Sequence, residues 1–388
     1  MEYATIGEAC TLHARIGWQG LTKSEYLDEG DYYLVTGIDF DNGHIAFDTC
    51  HFVTKERYDQ DQHIQLQLND VLVTKDGTIG KVAFIDRPID KPATLNSGVF
   101  VVRPKNPDLL LPEYLMIMLM SEHFSRFIEQ IKVGCTIAHL NQEKFLRYQF
   151  PLPPVTEQKH IIEVYYSATK IIEKRQRQLR TLDTLIKARF VEMFDDGESP
   201  MKTVEELCSE IVDCPHTTPR YEGELKHPAI RTSEIKKGYI AWDTMRYVSD
   251  EEYEERVARL RPEKGDIVYG REGTFGNAAV LPGGYSFCLG QRVMLLRPDY
   301  SKCTSEYLLH AVISDDVYRQ AVEKNNASTV AHVNVKDVKQ FKVPLPSFEK
   351  QRSFAYYVSQ VEKSKVVVQA ALDKAQLLFD SLMQQYFG

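Results

Sequence analysis

The chain has 388 residues and a mass of 44.6 kDa, which is enough for two or three folded domains. Hydrophobic residues make up 43% and charged residues 26% of the sequence, a balance that excludes an intrinsically disordered protein. The formal net charge of −8 weakly disfavours nucleic acid as a partner, so any DNA-binding surface has to be a local concentration of basic side chains.

The lengths of the apolar runs and the spacing of the cysteines indicate the cellular compartment of the protein. The longest apolar run, residues 114–120, is far shorter than the ~20 residues that a bilayer requires. The first residues lack the basic start and long apolar core of a secretion signal. The 7 cysteines include no Cys-x-x-Cys pair, which disfavours a disulfide framework. We therefore expect a cytoplasmic protein without membrane contact.

Residues 1–150 are predicted to form a mixed segment of strands, turns and helix. A strand-like run at residues 70–73 precedes the glycine loop Lys75-Asp76-Gly77-Thr78-Ile79-Gly80-Lys81, and a helix-like apolar stretch follows at residues 112–131. The segment ends on Phe150-Pro151-Leu152-Pro153-Pro154. Because proline cannot donate to a ladder or sit inside a helix, this run predicts an edge strand that ends just before a helix begins.

A long helix is predicted to follow these prolines. From Ile161 to Met193, spacings of four and three alternate over ten positions, of which eight are apolar. This 3.5-residue period is that of a coiled-coil seam. Proline and glycine are absent from residues 155–196. A helix of about 40 residues would be about 60 Å long.

The second half of the chain repeats this organisation. Residues 343–346, Val-Pro-Leu-Pro, match residues 150–153 at an offset of 193, and the same offset pairs Phe387 with Phe194. Upstream, Gly265-Asp266-Ile267-Val268 and the loop Arg271-Glu272-Gly273-Thr274-Phe275-Gly276-Asn277 match residues 69–72 and 75–81 at an offset of 196. A second 3.5-residue series runs from Phe354 to Tyr386. A unit of roughly 195 residues therefore occurs twice.

The two long helices are predicted to pack on each other. A lone helix with one apolar stripe is marginal in water, so each needs a partner. An antiparallel pair would hold two globular domains apart at opposite ends. The alternative is that each helix packs as an ordinary long helix on its own domain.

Motifs for common catalytic sites are missing. The segment at residues 75–82 has a lysine at position 75 and a valine at position 82, where a phosphate-binding loop needs glycine and serine or threonine. Cys214-Pro215-His216 lacks a second Cys/His pair at zinc-site spacing. Leu152-Pro153-Pro154-Val155 lacks the polar and aromatic residues of the aminomethyltransferase tetrad. The sequence therefore predicts a non-catalytic recognition or scaffold protein.

These residues resemble the specificity subunit of type I restriction-modification enzymes. The resemblance covers essentially the whole chain. It lies in the Pro-Leu-Pro-Pro…Glu-Gln entry to the long helix at residues 151–158, in the helix end Arg-Phe-Val-Glu-Met-Phe at residues 189–194, and in their second copies. The second junction, Pro-Leu-Pro-Ser-Phe-Glu-Lys-Gln, is a weaker copy. In the second half, the strings at residues 213–219, 230–235 and 265–277 are also typical of the target-recognition domains of that family.

The resemblance implies an α/β (α+β) fold with an internal pseudo-two-fold repeat. Two similar mixed α/β target-recognition domains, at residues 1–150 and 198–345, would be separated by antiparallel spacer helices at residues 151–197 and 346–388. Each domain would read one part of a bipartite, asymmetric sequence in double-stranded DNA. The helices would dock two methyltransferase (modification) subunits, and restriction/translocase subunits would complete the complex. No cofactor is expected in this chain, since S-adenosylmethionine and ATP/Mg would bind to the partner subunits, and no metal site is expected.

The glycine loops are the first candidates for DNA contact. Glycine lets a backbone approach phosphates closely, and lysine and arginine supply charge. The alternative is a tight turn between strands with its lysine in solvent. Further candidates are polar and aromatic loop residues, since arginine reads guanine and glutamine reads adenine. The predicted contacts are Lys75, Gly77, Thr78, Gly80, Lys81, Arg271, Gly273, Thr274, Gly276, Asn277, Arg15, Gln19, His216, Thr217, Arg220 and Arg292, with Trp18, Tyr221 and Gln291 as further candidates.

A protein-assembly scaffold is the alternative interpretation of this sequence. A scaffold that assembles proteins through its helices and reads no DNA is consistent with the acidic balance of charges. DNA binding that weakens with salt would distinguish the two hypotheses, because phosphate contacts release counterions.

Overall fold

A computed structural model describes residues 2–16, 20–132, 139–195, 197–222, 226–273, 276–324 and 332–388. These residues form two compact units. Unit 1 comprises Met1–Gln176 with Ala370–Gly388, and unit 2 comprises Arg177–Gln369. The predicted domain boundaries stay a prediction. The prediction placed them at the ends of the long helices, whereas the compact units divide each long helix in its middle. Among the helices of the described residues, none is long and apolar enough to cross a membrane.

Unit 1 mixes short helices with short strands. The bounds of its elements before the long helix are β1 Tyr3–Thr5, α1 Ile6–Ala9, β2 Cys10–His13, β3 Tyr32–Val35, β4 Phe40–Asp41, β5 His44–Ile45, β6 His51–Val53, α2 Lys55–Asp59, β7 Val71–Thr74, β8 Val82–Phe84, β9 Ala93–Leu95, β10 Val99–Pro104, α3 Pro112–Leu119, α4 Glu122–Lys132, α5 Gln142–Leu146 and β11 Gln149–Pro151. The long helix α6 follows at Val155–Phe194.

Most elements of unit 1 recur in unit 2 in the same order, and the hairpin β4–β5 is the exception among the described residues. The elements of unit 2 are β12 Met201–Thr203, α7 Val204–Leu207, β13 Cys208–Asp213, β14 His227–Ile230, β15 Arg246–Val248, α8 Asp250–Val257, β16 Ile267–Gly270, β17 Ala278–Val280, β18 Cys288–Leu289, β19 Val293–Pro298, α9 Ser305–Val312, α10 Asp315–Lys324, α11 Val335–Lys339 and β20 Lys342–Pro344. The second long helix, α12, spans Phe348–Phe387. The mixed α/β class and the internal repeat are therefore confirmed.

Each unit is built around a four-stranded antiparallel sheet. The strand order is β2-β10-β7-β8 in unit 1 and β13-β19-β16-β17 in unit 2. Alternate residues along a strand point to opposite faces, and both faces are covered. In unit 1, Val71 and Val73 pack into the core with the helices, while Leu72 packs into a second core with β3 and β9. That second core includes the three-stranded sheet β6-β3-β9, whose counterpart in unit 2 is β15-β14-β18.

The proline-containing strands are edge strands of their sheets, as predicted. β11 pairs with β1 and β20 pairs with β12 in separate two-stranded sheets. The predicted strands at residues 70–73 and 266–269 correspond to β7 and β16. These matches follow from proline chemistry and from short apolar runs between glycine turns.

One prediction about the helices is wrong. The helix-like apolar stretch predicted at residues 112–131, and the equivalent stretch of the second half at residues 305–322, are not single helices but the pairs α3–α4 and α9–α10, interrupted near Ser121 and Ser314. The Ser314 hydroxyl accepts a hydrogen bond from the Val317 backbone N–H (3.3 Å), and the Ser121 hydroxyl donates to the Met118 carbonyl (2.6 Å). Serine competes for backbone groups in this way and so favours helix ends.

The long helices pack against each other within each unit. In unit 1, Tyr165 of α6 contacts Phe379 of α12 with ring centroids 5.6 Å apart, and Ile161 shares the core with Phe387. In unit 2, Phe190 of α6 lies 5.5 Å from Phe354 of α12. The predicted seam positions of both helices are all buried or half-buried. Within each unit the two segments run antiparallel, as the sequence predicts.

Candidate functional site

The glycine loop of unit 1 is a closed turn between β7 and β8. The Thr74 hydroxyl donates to the Thr78 carbonyl (2.6 Å) and accepts from the Lys81 backbone N–H (2.9 Å). Gly77 and Gly80 have φ values of +70° and +82°, which glycine adopts without strain. A Cβ on Gly80 would also lie 2.7 Å from Ile128, so this position admits only glycine. The loop therefore holds its shape while Gly77, Thr78 and Lys81 face solvent.

A cavity of about 800 Å³ opens beside this loop. The loop lines one wall with Asp76, Gly77, Thr78 and Lys81. The other walls carry polar and aromatic side chains that the sequence did not single out, namely Lys23, Tyr26, His51 and Asn96. Lys75 turns away from the cavity lining, and its ammonium lies 5.2 Å from the centroid of the Phe100 ring.

A rigid turn at the rim of this cavity presents an apolar side chain. Asp39 is buried, and its carboxylate accepts hydrogen bonds from the Thr36 backbone N–H (2.7 Å) and the Thr36 hydroxyl (2.8 Å). Between them, the side chain of Ile38 is 83% exposed. The same hydrogen-bonded turn occurs in unit 2, where the carboxylate of buried Glu234 accepts a hydrogen bond from the Arg231 backbone N–H (2.9 Å).

The ionisation state of Glu234 in the turn of unit 2 is determined by the groups that donate hydrogen bonds to its carboxylate. Burial by itself raises the pKa of Glu234, but hydrogen bonds from the side chains of Arg231 and Ser233 bring that pKa below its usual value. The carboxylate therefore stays ionised, and it holds the exposed face of the turn in place.

The glycine loop of unit 2 has the same backbone pattern. Gly273 and Gly276 have φ values of +71° and +84°, and the Gly270 N–H donates to the Asn277 carbonyl (2.8 Å). The Asn277 side chain donates to the Ile235 carbonyl (3.3 Å), which ties the loop to the segment before β15. Thr274, predicted as a contact, lies outside the described residues.

Arg271, the predicted cation of this loop, is an internal residue. Its side chain is 7% exposed and forms an ion pair with Asp213 (2.8 Å). A cavity of about 630 Å³ lies beside this pair, and it is lined by His216, Glu272, His332 and Lys336 among others. His216 is exposed and its Nε2 lies 3.6 Å from the Asp213 carboxylate. His216 therefore lies beside the glycine loop and is exposed, whereas the charged group of Arg271 is buried in the wall of the cavity.

Other predicted residues are engaged within the protein. Arg15 is 1% exposed and donates to the Leu95 carbonyl (2.9 Å), so it has no surface to offer DNA. Arg220 pairs with Glu252 (2.6 Å) but its side chain stays 62% exposed. The carbonyl of Thr217 accepts from the Arg256 guanidinium (2.9 Å), and Thr217 is also an exposed residue.

Of the remaining candidates within the described residues, Arg292 is exposed and Gln291 is half-buried. Arg292 pairs with Glu272 (3.0 Å), and its side chain remains 63% exposed beside the glycine loop. Gln291 donates to the Thr218 hydroxyl (2.8 Å). Gln19, with its neighbour Trp18, lies outside the described residues.

A histidine–carboxylate pair occurs at the same place in both units, and the sequence interpretation missed it. His139 Nδ1 lies 2.6 Å from Asp76, and His332 Nδ1 lies 3.4 Å from Glu272. Asp76 and Glu272 occupy the same position in the two glycine loops. The signal was present, because the 193-residue offset continues upstream and pairs these two histidines.

Comparison with known proteins places both halves in one family. The family model described as "Type I restriction modification DNA specificity domain" matches residues 1–181 and 223–373. The chain belongs to this family. The two matched segments contain both glycine loops and most of the residues that line the two cavities, while Asp213 and His216 of the second cavity lie between the segments.

Individual relatives and one solved structure agree with the membership. The chain is 25% identical over 166 residues to the type I restriction enzyme MjaVIII specificity subunit of Methanocaldococcus jannaschii, covering 41% of this chain and 38% of that protein. It is 21% identical to the putative MjaX specificity subunit of the same organism, covering 88% of this chain and 83% of that protein. The S subunit of a type I restriction-modification system from M. genitalium has the same fold, with a TM-score of 0.55, 16% identity, and coverage of 100% of this chain and 96% of that chain.

Proposed function

We propose that this chain is the DNA sequence-recognition subunit of a type I restriction-modification system. The observation that carries the proposal is the duplication. Each of two specificity domains presents a glycine loop, a cavity beside it and exposed polar side chains around it. Since the two sets of side chains differ, each domain would read a different part of a bipartite, asymmetric target.

The groups around the cavities suit DNA. Exposed glycine-loop backbone and the ammonium of Lys81 would approach phosphates in unit 1, while Arg292 and Lys336 would do so in unit 2. Clamped turns such as the one that carries Ile38 can present side chains to base edges without loss of conformational entropy on binding. Arg15 and Arg271 are left out of this contact surface because each is buried inside its own unit, whereas Arg220 stays a candidate because its side chain is 62% exposed.

The long helices supply the docking surface in this proposal. Although the seam of each helix is covered, other apolar side chains on the helices remain exposed. They include Tyr166 and Leu377 in unit 1 and Tyr356 and Val366 in unit 2. A protein partner that covers these side chains would remove their apolar area from water. Two methyltransferase subunits would bind there, and restriction/translocase subunits would join the complex. The chain itself would be non-catalytic, with S-adenosylmethionine and ATP/Mg bound by its partners.

A salt series tests the DNA contact. Fluorescence anisotropy with a 40-base-pair duplex of mixed sequence, with and without a methyltransferase partner, should show affinity falling as salt rises. Lys81→Ala is expected to flatten the slope of log K against log salt by about 0.9, the value for one lost phosphate contact. Lys144→Ala, on the exposed face of α5, should leave the slope unchanged. Binding that is absent or insensitive to salt in both conditions would contradict DNA recognition and favour the protein scaffold.

A further inference from the structure

A buried arginine closes the same junction in both units, but it comes from opposite sides of that junction. In unit 1, Arg15 lies just after β2, and its Nε donates to the carbonyl of Leu95, the last residue of β9 (2.9 Å). In unit 2, Arg256 belongs to α8, and its guanidinium donates to the carbonyl of Leu289, the last residue of β18 (3.1 Å). Leu95 and Leu289 are matched positions, because each pairs with the last residue of the neighbouring parallel strand.

Each buried arginine joins a helix to the first loop of its unit, which is the segment between β2 and β3 in unit 1 and between β13 and β14 in unit 2. In unit 1, Arg15 begins the first loop and donates to the Arg57 carbonyl of α2 (3.4 Å). In unit 2 the direction is reversed, since Arg256 of α8 donates to the Thr217 carbonyl of the first loop (2.9 Å). Only 1% of Arg15 and 6% of Arg256 is exposed. Because a buried cation is costly unless it is hydrogen-bonded, each arginine fixes its loop against its helix.

A second link between the same helix and the same loop is an ion pair whose charges are reversed between the units. In unit 1 the helix carries the cation, and Arg57 Nε donates to the carboxylate of Glu25 in the first loop (2.7 Å). In unit 2 the helix carries the anion, and Glu252 accepts from Nε of Arg220 in the first loop (2.6 Å). Arg57 and Glu252 are matched positions, because the N–H of each donates to the hydroxyl of the helix N-cap residue. The link is therefore present in both units although its charges are inverted.

These links end beside side chains that line the two cavities. Glu25 lies between Lys23 and Tyr26, which both line the cavity of unit 1. Thr217 adjoins His216, which lines the cavity of unit 2. The helix residue of each ion pair does not itself line the cavity. The placement of loop side chains at each proposed DNA site thus depends on a helix residue behind it.

We infer that Arg57 and Glu252 are positioning residues for DNA recognition, each holding the first loop of its unit in the conformation that reads one part of the target. The inference rests on the proposed function and deepens it, because it makes sequence specificity a property of the loop and the helix together. Exchange of a first loop between the units without its helix would place two like charges against each other, which is unfavourable. A loop is therefore expected to keep its specificity only with a helix residue of opposite charge.

The test reverses the charges in unit 1, with the full-length chain co-expressed with an adenine methyltransferase partner and the modified adenines mapped across a genome. Arg57→Glu places two carboxylates in contact, so the preference for the bases of one part of the target should fall about tenfold, the discrimination that one base pair carries, while the other part is read as before. Glu25→Arg/Arg57→Glu restores an ion pair with the polarity of unit 2 and should recover most of the wild-type preference. In this double variant the new helix carboxylate would lie between two arginines, as Glu252 lies between Arg220 and Arg256.

The matched control is Lys55→Glu. It makes the same change of charge in the same helix, but the Lys55 ammonium is exposed and pairs with Asp59 of that helix, so both parts of the target should stay as in the wild type. A folding defect in Arg57→Glu would lower methylation at every site without changing the shared sequence. In that case Glu25→Gln, which removes the ion pair without adding repulsion, decides the question, since relaxed preference in one part supports the inference and an unchanged sequence overturns it.

The remaining outcomes separate the inference from the proposed function. The inference is overturned, and the proposed function stands, if Arg57→Glu is methylated with an unchanged target, if Lys55→Glu has the same effect as Arg57→Glu, or if the double variant recovers nothing. If the wild type itself directs methylation to no shared two-part sequence, the proposed function and the inference both fail.

Discussion

Replacement of Gln158 by leucine is expected to lower the free energy of unfolding by about 3–5 kcal/mol, the largest effect that we predict for one side chain. Gln158 is fully buried at the start of α6. Its Oε1 accepts from the Leu111 N–H (2.9 Å), and its Nε2 donates to the carbonyls of Leu109 and Pro153 (both 2.8 Å). Leucine would leave three backbone groups unpaired, one buried and two partly buried, at about 1–3 kcal/mol for each buried group.

The repeat provides an internal replicate of this experiment. Gln351 is equally buried and bonds in the same pattern to the Thr304 N–H and to the carbonyls of Lys302 and Pro346. Urea denaturation of Gln158→Leu and Gln351→Leu should therefore show similar losses. Gln176→Leu, at an exposed position of α6, is expected to stay within about 0.5 kcal/mol of the wild type. A loss below about 1 kcal/mol for either buried glutamine would contradict the assignment.

Acid is expected to destabilise unit 2 through His310. This side chain packs edge-to-face on Phe354 with ring centroids 5.2 Å apart, and it occupies the position that Ile117 has in unit 1. Burial lowers the pKa of His310 to about 4, and the nearby Lys365 ammonium acts in the same direction. As the pH falls below about 6.5, the imidazole of the unfolded chain takes up a proton first. The folded state thus loses stability between pH 6.5 and pH 4, and the loss at pH 4.5 is about 2–3 kcal/mol.

Urea denaturation at pH 7 and pH 4.5 measures this loss. His310→Ile, which copies the residue of unit 1, should remove about 2–3 kcal/mol of the difference between the two pH values. His160→Ile changes an exposed histidine on α6 and should keep the full difference. Equal acid sensitivity in His310→Ile and the wild type would show that another group is responsible.

The parts of the fold that were predicted correctly depend on local chemistry or on repetition. Proline placed β11 and β20 at sheet edges, and the 3.5-residue period predicted the buried face of α6 along its whole length. The break at Ser314 carried a local signal too, since serine is a common N-cap, but the continuous apolar pattern across it favoured one helix.

The parts that failed depend on contacts between distant segments. Arg271 beside a glycine loop looks like an exposed cation, and only the position of Asp213 at the end of β13 makes it an internal one. Arg15 is buried because it reaches the Leu95 carbonyl at the end of β9. Sequence order does not reveal either contact. The pairing of His139 with Asp76, by contrast, could have been suspected from the repeat, because both members recur in the second half at matching offsets.

The measurement that tests the account most directly is the methylation pattern that this chain directs. The chain would be co-expressed with an adenine methyltransferase partner, and the modified adenines would be mapped across a genome. We predict that the modified sites share a sequence in two different parts separated by a fixed gap. Substitution of residues 36–39, or of residues 231–234, should alter one part of that sequence while the other part stays the same. Modified sites without a shared two-part sequence, or a pattern that is independent of this chain, would contradict recognition by two separate domains.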